Sequence, residues 1–103
     1  MATNHIANPI VFRLTPAALD LVVATWGDVD IVYQRRSGET HAFNEVTTHL
    51  LECLSEGPAT LSDLLCRVAL HFDVEPEELT QDAFLRVTSR LEELGLIEAT
   101  SCR

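Results

Sequence analysis

The hydrophobic pattern of the chain changes its period near residue 44. Before that point, short runs rich in β-branched residues alternate with turn residues, which is typical of strands. After it, apolar residues recur at intervals of three and four, which predicts helices. The strands are predicted over residues 10–14, 19–26, 30–35 and 39–43, with a hairpin turn at Ser37 and Gly38.

Three helices are predicted from their caps and their apolar stripes. Asn44, Thr60 and Thr80 each precede such a stripe, and each has a side-chain oxygen that can accept a hydrogen bond from the first turn of a helix. Glycines end the first and third helices, at Gly57 and Gly95. A short extended segment, "LIEA", follows. The stripe of the third helix consists of Phe84, Val87, Leu91 and Leu94.

This order of elements predicts an α+β fold in which a sheet packs on one side of the helices. We expect a small winged-helix-like domain, with an N-terminal three-stranded antiparallel sheet followed by three helices. One domain is predicted over residues 10–98, between a flexible lead-in over residues 1–9 and a tail over residues 99–103. A chain of 103 residues provides one core and little material for a deep, walled cleft.

The charge of the chain argues against several classes of partner. Sixteen acids against seven bases, all of them arginine, give a net charge of −9. Such a surface repels nucleic acid and anionic membranes. The N-terminus has no signal-peptide pattern, and no apolar run has the length of a membrane span. We therefore expect a cytoplasmic protein that binds neither nucleic acid nor membrane.

No motif predicts catalysis, a metal or a cofactor. The histidines lack metal-binding spacing, apart from His49, which stands four residues before Cys53. We expect core thiols at Cys53 and Cys66 and a surface imidazole at His49. The odd third cysteine, Cys102, fits a reducing compartment. The sequence also lacks the glycine-flanked serine of a nucleophile elbow, so we expect a protein that is not an enzyme.

The last predicted strand, residues 39–43, is the strongest candidate for binding. If the strands form a meander, this strand has one neighbour and one open side, which an extended peptide can join by β-addition. The alternative is an edge that is tolerated because it is short. The sequence leaves both interpretations open.

Two further features each have two interpretations. Arg86 and Arg90 stand four residues apart on the third helix. They either form intrahelical pairs, Asp82 with Arg86 and Arg90 with Glu93, or present a cationic strip to an acidic partner. For the only tryptophan, Trp26, we expect an anchoring position between strand and helix, with exposure on a binding surface as the alternative.

Two long segments resemble the PqqD-like proteins. They are "FNEVTTHLLECLSEGPATLSDLL" and "FDVEPEELTQDAFLRVTSRLEELGLIE". The matching features are an Asn-capped helix, a Gly-Pro break, a Thr-capped second helix and a final helix that closes on Leu-x-x-x-Gly-Leu-Ile. The upstream "DIVYQRRSGETHAFN" is similar to the subgroup found alongside HPr-kinase-related proteins. The resemblance covers residues 10–98.

The resemblance implies a winged-helix-like peptide chaperone, a recognition element for ribosomally made peptides that a separate enzyme modifies. In that family a leader peptide adds a strand to the last sheet strand and fills a groove against the third helix. The edge carried over onto this sequence is Glu39, Thr40, His41, Ala42 and Phe43. The groove candidates on the third helix are Phe84, Arg86, Val87, Arg90, Leu91 and Leu94, and which of them face the groove stays open.

Two other functions are considered beside peptide binding. One is an assembly role, as an adaptor for a kinase-like partner or as a homodimer that pairs through the open edge. The other is a winged-helix protein that reads DNA with its third helix, which the net charge and the absence of lysine oppose.

Overall fold

The computed structural model describes residues 10–101 of the chain. The predicted lead-in over residues 1–9 and the third cysteine, Cys102, lie outside these residues. The described part contains six strands and three α-helices. The strands are β1 (Ile10–Leu14), β2 (Leu21–Trp26), β3 (Val29–Gln34), β4 (Glu39–Phe43), β5 (Ala59–Thr60) and β6 (Ile97–Ser101), and the helices are α1 (Glu45–Ser55), α2 (Leu61–Phe72) and α3 (Gln81–Glu93).

The α+β class is confirmed, but the described strands form two antiparallel sheets where one was predicted. Strands β2, β3 and β4 form a meander that precedes the helices, with β3 in the centre. Strand β1 does not join them. It pairs with β5 on one side and β6 on the other, in a second sheet of three strands. The predicted N-terminal three-stranded antiparallel sheet before the helices is therefore confirmed, whereas the second sheet was not predicted.

Strand β1 is not part of the first sheet because it pairs with β6, which lies at the other end of the sequence. Arg13 Nε donates to Glu98 Oε2 at 2.7 Å, and the Thr15 hydroxyl donates to the carbonyl of Gly95 at 2.6 Å. These contacts hold β6 beside β1 over its whole length. The strand runs as far as Ser101, so residues 99–101, which were predicted to be tail, belong to the sheet.

The predicted caps begin all three helices. The side-chain oxygens of Asn44, Thr60 and Thr80 accept from main-chain N–H groups three residues on, at 2.9, 3.2 and 3.2 Å. Gly95, at φ +77°, ends α3 in a Schellman motif, as its position after the apolar stripe indicated. None of the helices within residues 10–101 combines the length and the apolar character needed to cross a membrane.

The core lies where the three helices meet both sheets. Leu50 of α1, Leu64 of α2 and Leu91 of α3 are fully buried, as the predicted stripes require. Phe12 of β1 and Val32 of β3 bring the second and the first sheet onto these leucines. One core therefore fixes the position of the first sheet relative to α3.

The two described cysteines differ in burial. Cys53 lies in the core, and burial raises the pKa of its thiol, so it is held as a neutral, apolar group. Cys66 is exposed, and its predicted place in the core is wrong. It follows Leu64 by two positions, which is about 200° around an α-helix, so it lies on the opposite side from that buried leucine.

Candidate functional site

An open groove lies between β4 and α3. Its volume is about 500 Å³, which is within the range of protein sites that take small ligands or short peptide segments. The groove brings together two segments that are far apart in sequence and that were both predicted to bind a peptide. Its lining residues are Thr40, His41, Ala42, Phe43, Asn44, Thr47, Ala83, Arg86, Val87 and Arg90.

Strand β4 is an edge strand, and its main chain faces the groove at alternate residues. The Gly38 N–H donates to the Gln34 carbonyl at 2.8 Å, so the main-chain groups of Gln34 point toward β4. The direction of the main-chain N–H and C=O groups alternates along a strand. Those of Val32 therefore also point toward β4, where Val32 pairs with His41. It follows that the N–H and C=O groups of Thr40 and Ala42 point away from β3, toward the open side.

The wall of the groove on α3 is narrower than the sequence suggested. Val87 lines it and is partly buried against the core. Phe84 is 2% exposed and Leu91 is 0% exposed, so both belong to the core and neither presents a surface to a ligand. Leu94 packs against the same core and is not among the lining residues. The structure therefore places these three groove candidates in the core or against it, outside the lining of the groove.

Arg86 and Arg90 stand on the groove side of α3. Among the described residues, Arg86 forms no ion pair, and the predicted pairing with Asp82 is absent. Arg90 is paired as predicted, with Nη1 at 3.8 Å from Glu93 Oε1, but both side chains are mostly exposed and such a pair contributes little stability. No described Asp or Glu lines the groove itself, although Asp82 and Glu93 lie beside the two arginines on the adjoining surface of α3.

The inward side chains of β4 are held in place by their neighbours. The ring of His41 stacks on Phe43 with a centroid distance of 5.7 Å, and His41 Nε2 lies 3.0 Å from Gln34 Oε1. Phe43 is buried, which anchors the end of the strand in the core. Glu39, at the exposed start of β4, belongs to the edge strand but does not line the groove.

Three lining residues were not predicted. Asn44 and Thr47 join the groove because Asn44 is the only residue between β4 and α1. Asn44 Oδ1 accepts from both the N–H and the hydroxyl of Thr47, at 2.9 and 2.8 Å. Ala83 lies one turn before Val87 on α3, and that spacing was the signal that could have identified it.

A second cluster lies between α1 and α2. The rings of His49 and His71 stack at 3.7 Å, and Phe72 meets both edge-on. His49 is half-buried, and its Nδ1 lies 3.1 Å from Glu52 Oε1, so the predicted surface imidazole is packed instead. Within the described residues, no group of three or more His, Cys, Asp or Glu side chains is arranged to hold a metal ion.

Trp26 lies at the end of β2 and is 80% exposed. Its predicted anchoring role between strand and helix is therefore wrong. By the strand register, Val22, Val29 and Tyr33 lie on the same face of the first sheet, and each is at least 40% exposed. This outer face of the sheet, which we define by these four residues, is apolar and open.

Comparison with known proteins does not assign this arrangement to a family. No family model, no curated protein and no solved structure matches the chain. The resemblance to the PqqD-like proteins therefore stays a prediction from the residues quoted above, and the function of the chain has to be argued from the groove.

Proposed function

We propose that this chain binds an extended peptide by strand addition to β4 and presents it to a separate modifying enzyme. The observation that supports this most directly is the free main chain of Thr40 and Ala42 beside a groove walled by α3. Each residue offers one N–H and one C=O group, so a guest strand can form up to four main-chain hydrogen bonds. The binding is sequence-tolerant, because main-chain groups are common to all peptides.

The side chains around this edge suit a guest strand. Thr40 and Ala42 are small, and they leave the approach to the main chain open. Apart from Glu39 at its start, β4 has no charged residue, so charge does not protect this exposed edge. Val87 on α3, between Arg86 and Arg90 in sequence, provides a small apolar contact for the aliphatic part of guest side chains that point inward. A guest is thus held by main-chain bonds on one side and by a helix on the other.

This proposal includes the winged-helix-like description of the domain. The meander β2-β3-β4 takes the place of a wing, and α3 takes the place of the helix beside it. A chemical step by the chain itself is not part of the proposal. Cys53, a potential nucleophile, is in the core with a raised pKa, and a thiol in that state is unreactive. The modifying chemistry belongs to the partner enzyme.

A proline at Ala42 tests the edge. Ala42→Pro removes one outward N–H and places the proline ring in the path of the guest, whereas pairing with β3 is unaffected. We expect peptide affinity to fall at least about tenfold. The probe is a displayed library of random peptides of about ten residues, a length that covers a typical strand. Binders of the wild-type chain are then measured by fluorescence polarisation against the variant.

The matched control is Val23→Pro. Val23 lies on β2, the other edge of the same sheet, and no residue of β2 lines the groove, so we expect this variant to keep the affinity of the wild-type chain. Circular dichroism shows whether Ala42→Pro is folded. If it is unfolded, the test uses the wild-type chain with two guest peptides, N-methylated at odd or at even residues. We expect only one of these two peptides to bind. Equal affinity of the folded Ala42→Pro variant and the wild-type chain would reject strand addition at β4.

Assembly is the second candidate function, and one observation favours it. The outer face of the first sheet is apolar, and Trp26 alone presents on the order of 200 Å² of surface. Exposed apolar patches of a few hundred Å² often mark contacts between proteins. A dimer through this face would leave the main chain of β4 free for a peptide, so the two functions are compatible.

Replacing Trp26 with threonine separates assembly from folding. Because Trp26 is 80% exposed, we expect Trp26→Thr to change the free energy of unfolding by about 0.5 kcal/mol or less. Urea titration followed by circular dichroism measures this, since the variant has no tryptophan. If the outer face mediates a dimer, sedimentation velocity shows the wild-type dimer dissociating in the variant. A destabilisation above about 2 kcal/mol at a concentration where the wild-type chain is monomeric would mean that Trp26 packs in the fold after all.

A further inference from the structure

We propose that the guest of the groove is an acidic peptide, with carboxylates on two alternate residues that face Arg86 and Arg90. This inference rests on the proposed function and adds the chemistry of the guest to it. It is based on the charge of the groove, on the weak pairing of its two arginines, and on the distance between them.

The groove is a cationic site on an acidic protein. The chain has a net charge of −9, yet two of the ten residues that line the groove are arginines and none is an acid. A basic peptide would be attracted to most of the surface and repelled at this groove. An acidic peptide experiences the reverse, so charge complementarity directs it to the space between β4 and α3.

The two arginines are available to a guest. Arg13, Arg35 and Arg67 each form an ion pair with an acid elsewhere on the surface. Arg86 forms none with a described residue, as is also true of Arg36 in the turn between β3 and β4. The 3.8 Å contact of Arg90 with Glu93 is long and exposed, so exchanging it for a guest carboxylate costs little.

The distance between the arginines fits alternate residues of a strand. Residues four apart on a helix are separated by about 6 Å along its axis. Alternate residues of a strand are about 6.6–6.8 Å apart and point to the same side. Arg86 and Arg90 therefore match a guest with acids at positions i and i+2. Two adjacent acids would not match, since they point to opposite sides of the strand.

The intervening guest residues lie on the other side. They continue the face of the sheet that contains the outward side chains of Thr40 and Ala42, which pair with Tyr33 and Ile31 of β3. This surface is mainly apolar, so β-branched residues suit it. The expected guest thus alternates acidic residues toward α3 with apolar residues toward the outside.

Three labelled peptides test the inference by fluorescence polarisation. The first, TVEVEVT, has spaced acids; the second, TVQVQVT, has glutamines in their place; the third, TVVEEVT, has the acids adjacent. We expect the first to bind about five- to tenfold more tightly than either of the others in about 50 mM salt. The advantage falls at about 500 mM salt, because exposed charges are then screened.

Charge variants of the protein assign the effect to α3. Arg86→Gln and Arg90→Gln together are expected to abolish the advantage of TVEVEVT over TVQVQVT. Both side chains lie on the surface, so the double variant stays folded. Arg35→Gln and Arg36→Gln together are the matched control, because this pair also removes two positive charges, from the turn between β3 and β4. This control should retain the whole advantage.

The outcomes separate this inference from the function on which it rests. Equal binding of all three peptides, with each binding lost in Ala42→Pro, would overturn the acidic guest and leave strand addition in place. Equal binding of TVEVEVT and TVVEEVT would overturn the alternate spacing. An advantage that persists in the double arginine variant would overturn the assignment to Arg86 and Arg90. If none of the three peptides binds while peptides selected from the random library do, the acidic guest is rejected and strand addition stands; if the library also yields no binder, both are rejected.

Discussion

Replacing Leu91 with alanine is expected to lower the free energy of unfolding by about 3–4 kcal/mol. Leu91 has no exposed surface, and it lies in the core that joins α3 to both sheets. Truncation removes buried methyl groups and leaves a cavity that close-packed neighbours fill only in part. Urea titration followed by circular dichroism measures the loss. For a domain of this size it is a large share of the total stability.

Val87→Ala is the matched control on the same helix. Val87 is one turn before Leu91, is only partly buried and lines the groove. We expect it to cost about 1 kcal/mol of stability and to weaken binding of the guest. If Leu91→Ala is no more destabilising than Val87→Ala, then Leu91 is not a core residue, and the division of α3 into core and groove residues is mistaken.

This pair of residues shows what the period of a helix does and does not predict. The sequence placed Phe84, Val87 and Leu91 on one stripe of α3, and the structure keeps them on one side of the helix. Periodicity predicts which side of a helix is apolar. It does not predict which residues of that apolar side are covered by another element and which stay at the surface. That depends on where β4 lies in space, so Val87 reaches the groove whereas Phe84 and Leu91 do not.

The sheets show a similar division between local and non-local signals. The meander from β2 to β4 is built from two hairpins, and turn residues between neighbouring strands predicted its free edge correctly. The pairing of β1 with β6 joins residues 85 positions apart, as Arg13 and Glu98 demonstrate. No turn residue signals such a contact. The two-residue strand β5 is too short to produce any periodic pattern.

Exposure is the property that the sequence predicted least well. Trp26 and Cys66 were both placed inside on the basis of residue type, and both are exposed. Residue type gives an average over many proteins, whereas a sheet with only one covered face leaves its outward side chains in solvent. The spacing of Arg86 and Arg90 also could not show that they line a groove without a described acid in its lining, because that depends on where β4 lies in space.

Replacing Asn44 with alanine is expected to cost about 2 kcal/mol, at the upper end for the loss of a helix cap. Asn44 Oδ1 accepts from both the N–H and the hydroxyl of Thr47, so alanine leaves two donors without a partner. Thr47 is 8% exposed, and water replaces these bonds poorly. Urea titration measures the loss, and hydrogen exchange at the Thr47 amide should be faster than in the wild-type chain.

The consequence for binding follows from the position of Asn44 between β4 and α1. Phe43 ends the strand in the core and Glu45 begins the helix, so the cap fixes where the free edge must stop. Loosening it lets the outward main chain of Ala42 fluctuate, and we expect guest affinity to fall with stability.

Thr80→Ala is the control, because it removes a single, exposed cap bond from α3 and should cost about 1 kcal/mol. Asn44→Asp keeps the acceptor and adds a negative charge at a helix N-terminus, so it should restore both stability and affinity. An Asn44→Ala variant that is destabilised by no more than Thr80→Ala, with unchanged guest affinity, would show that the junction does not hold the edge in place.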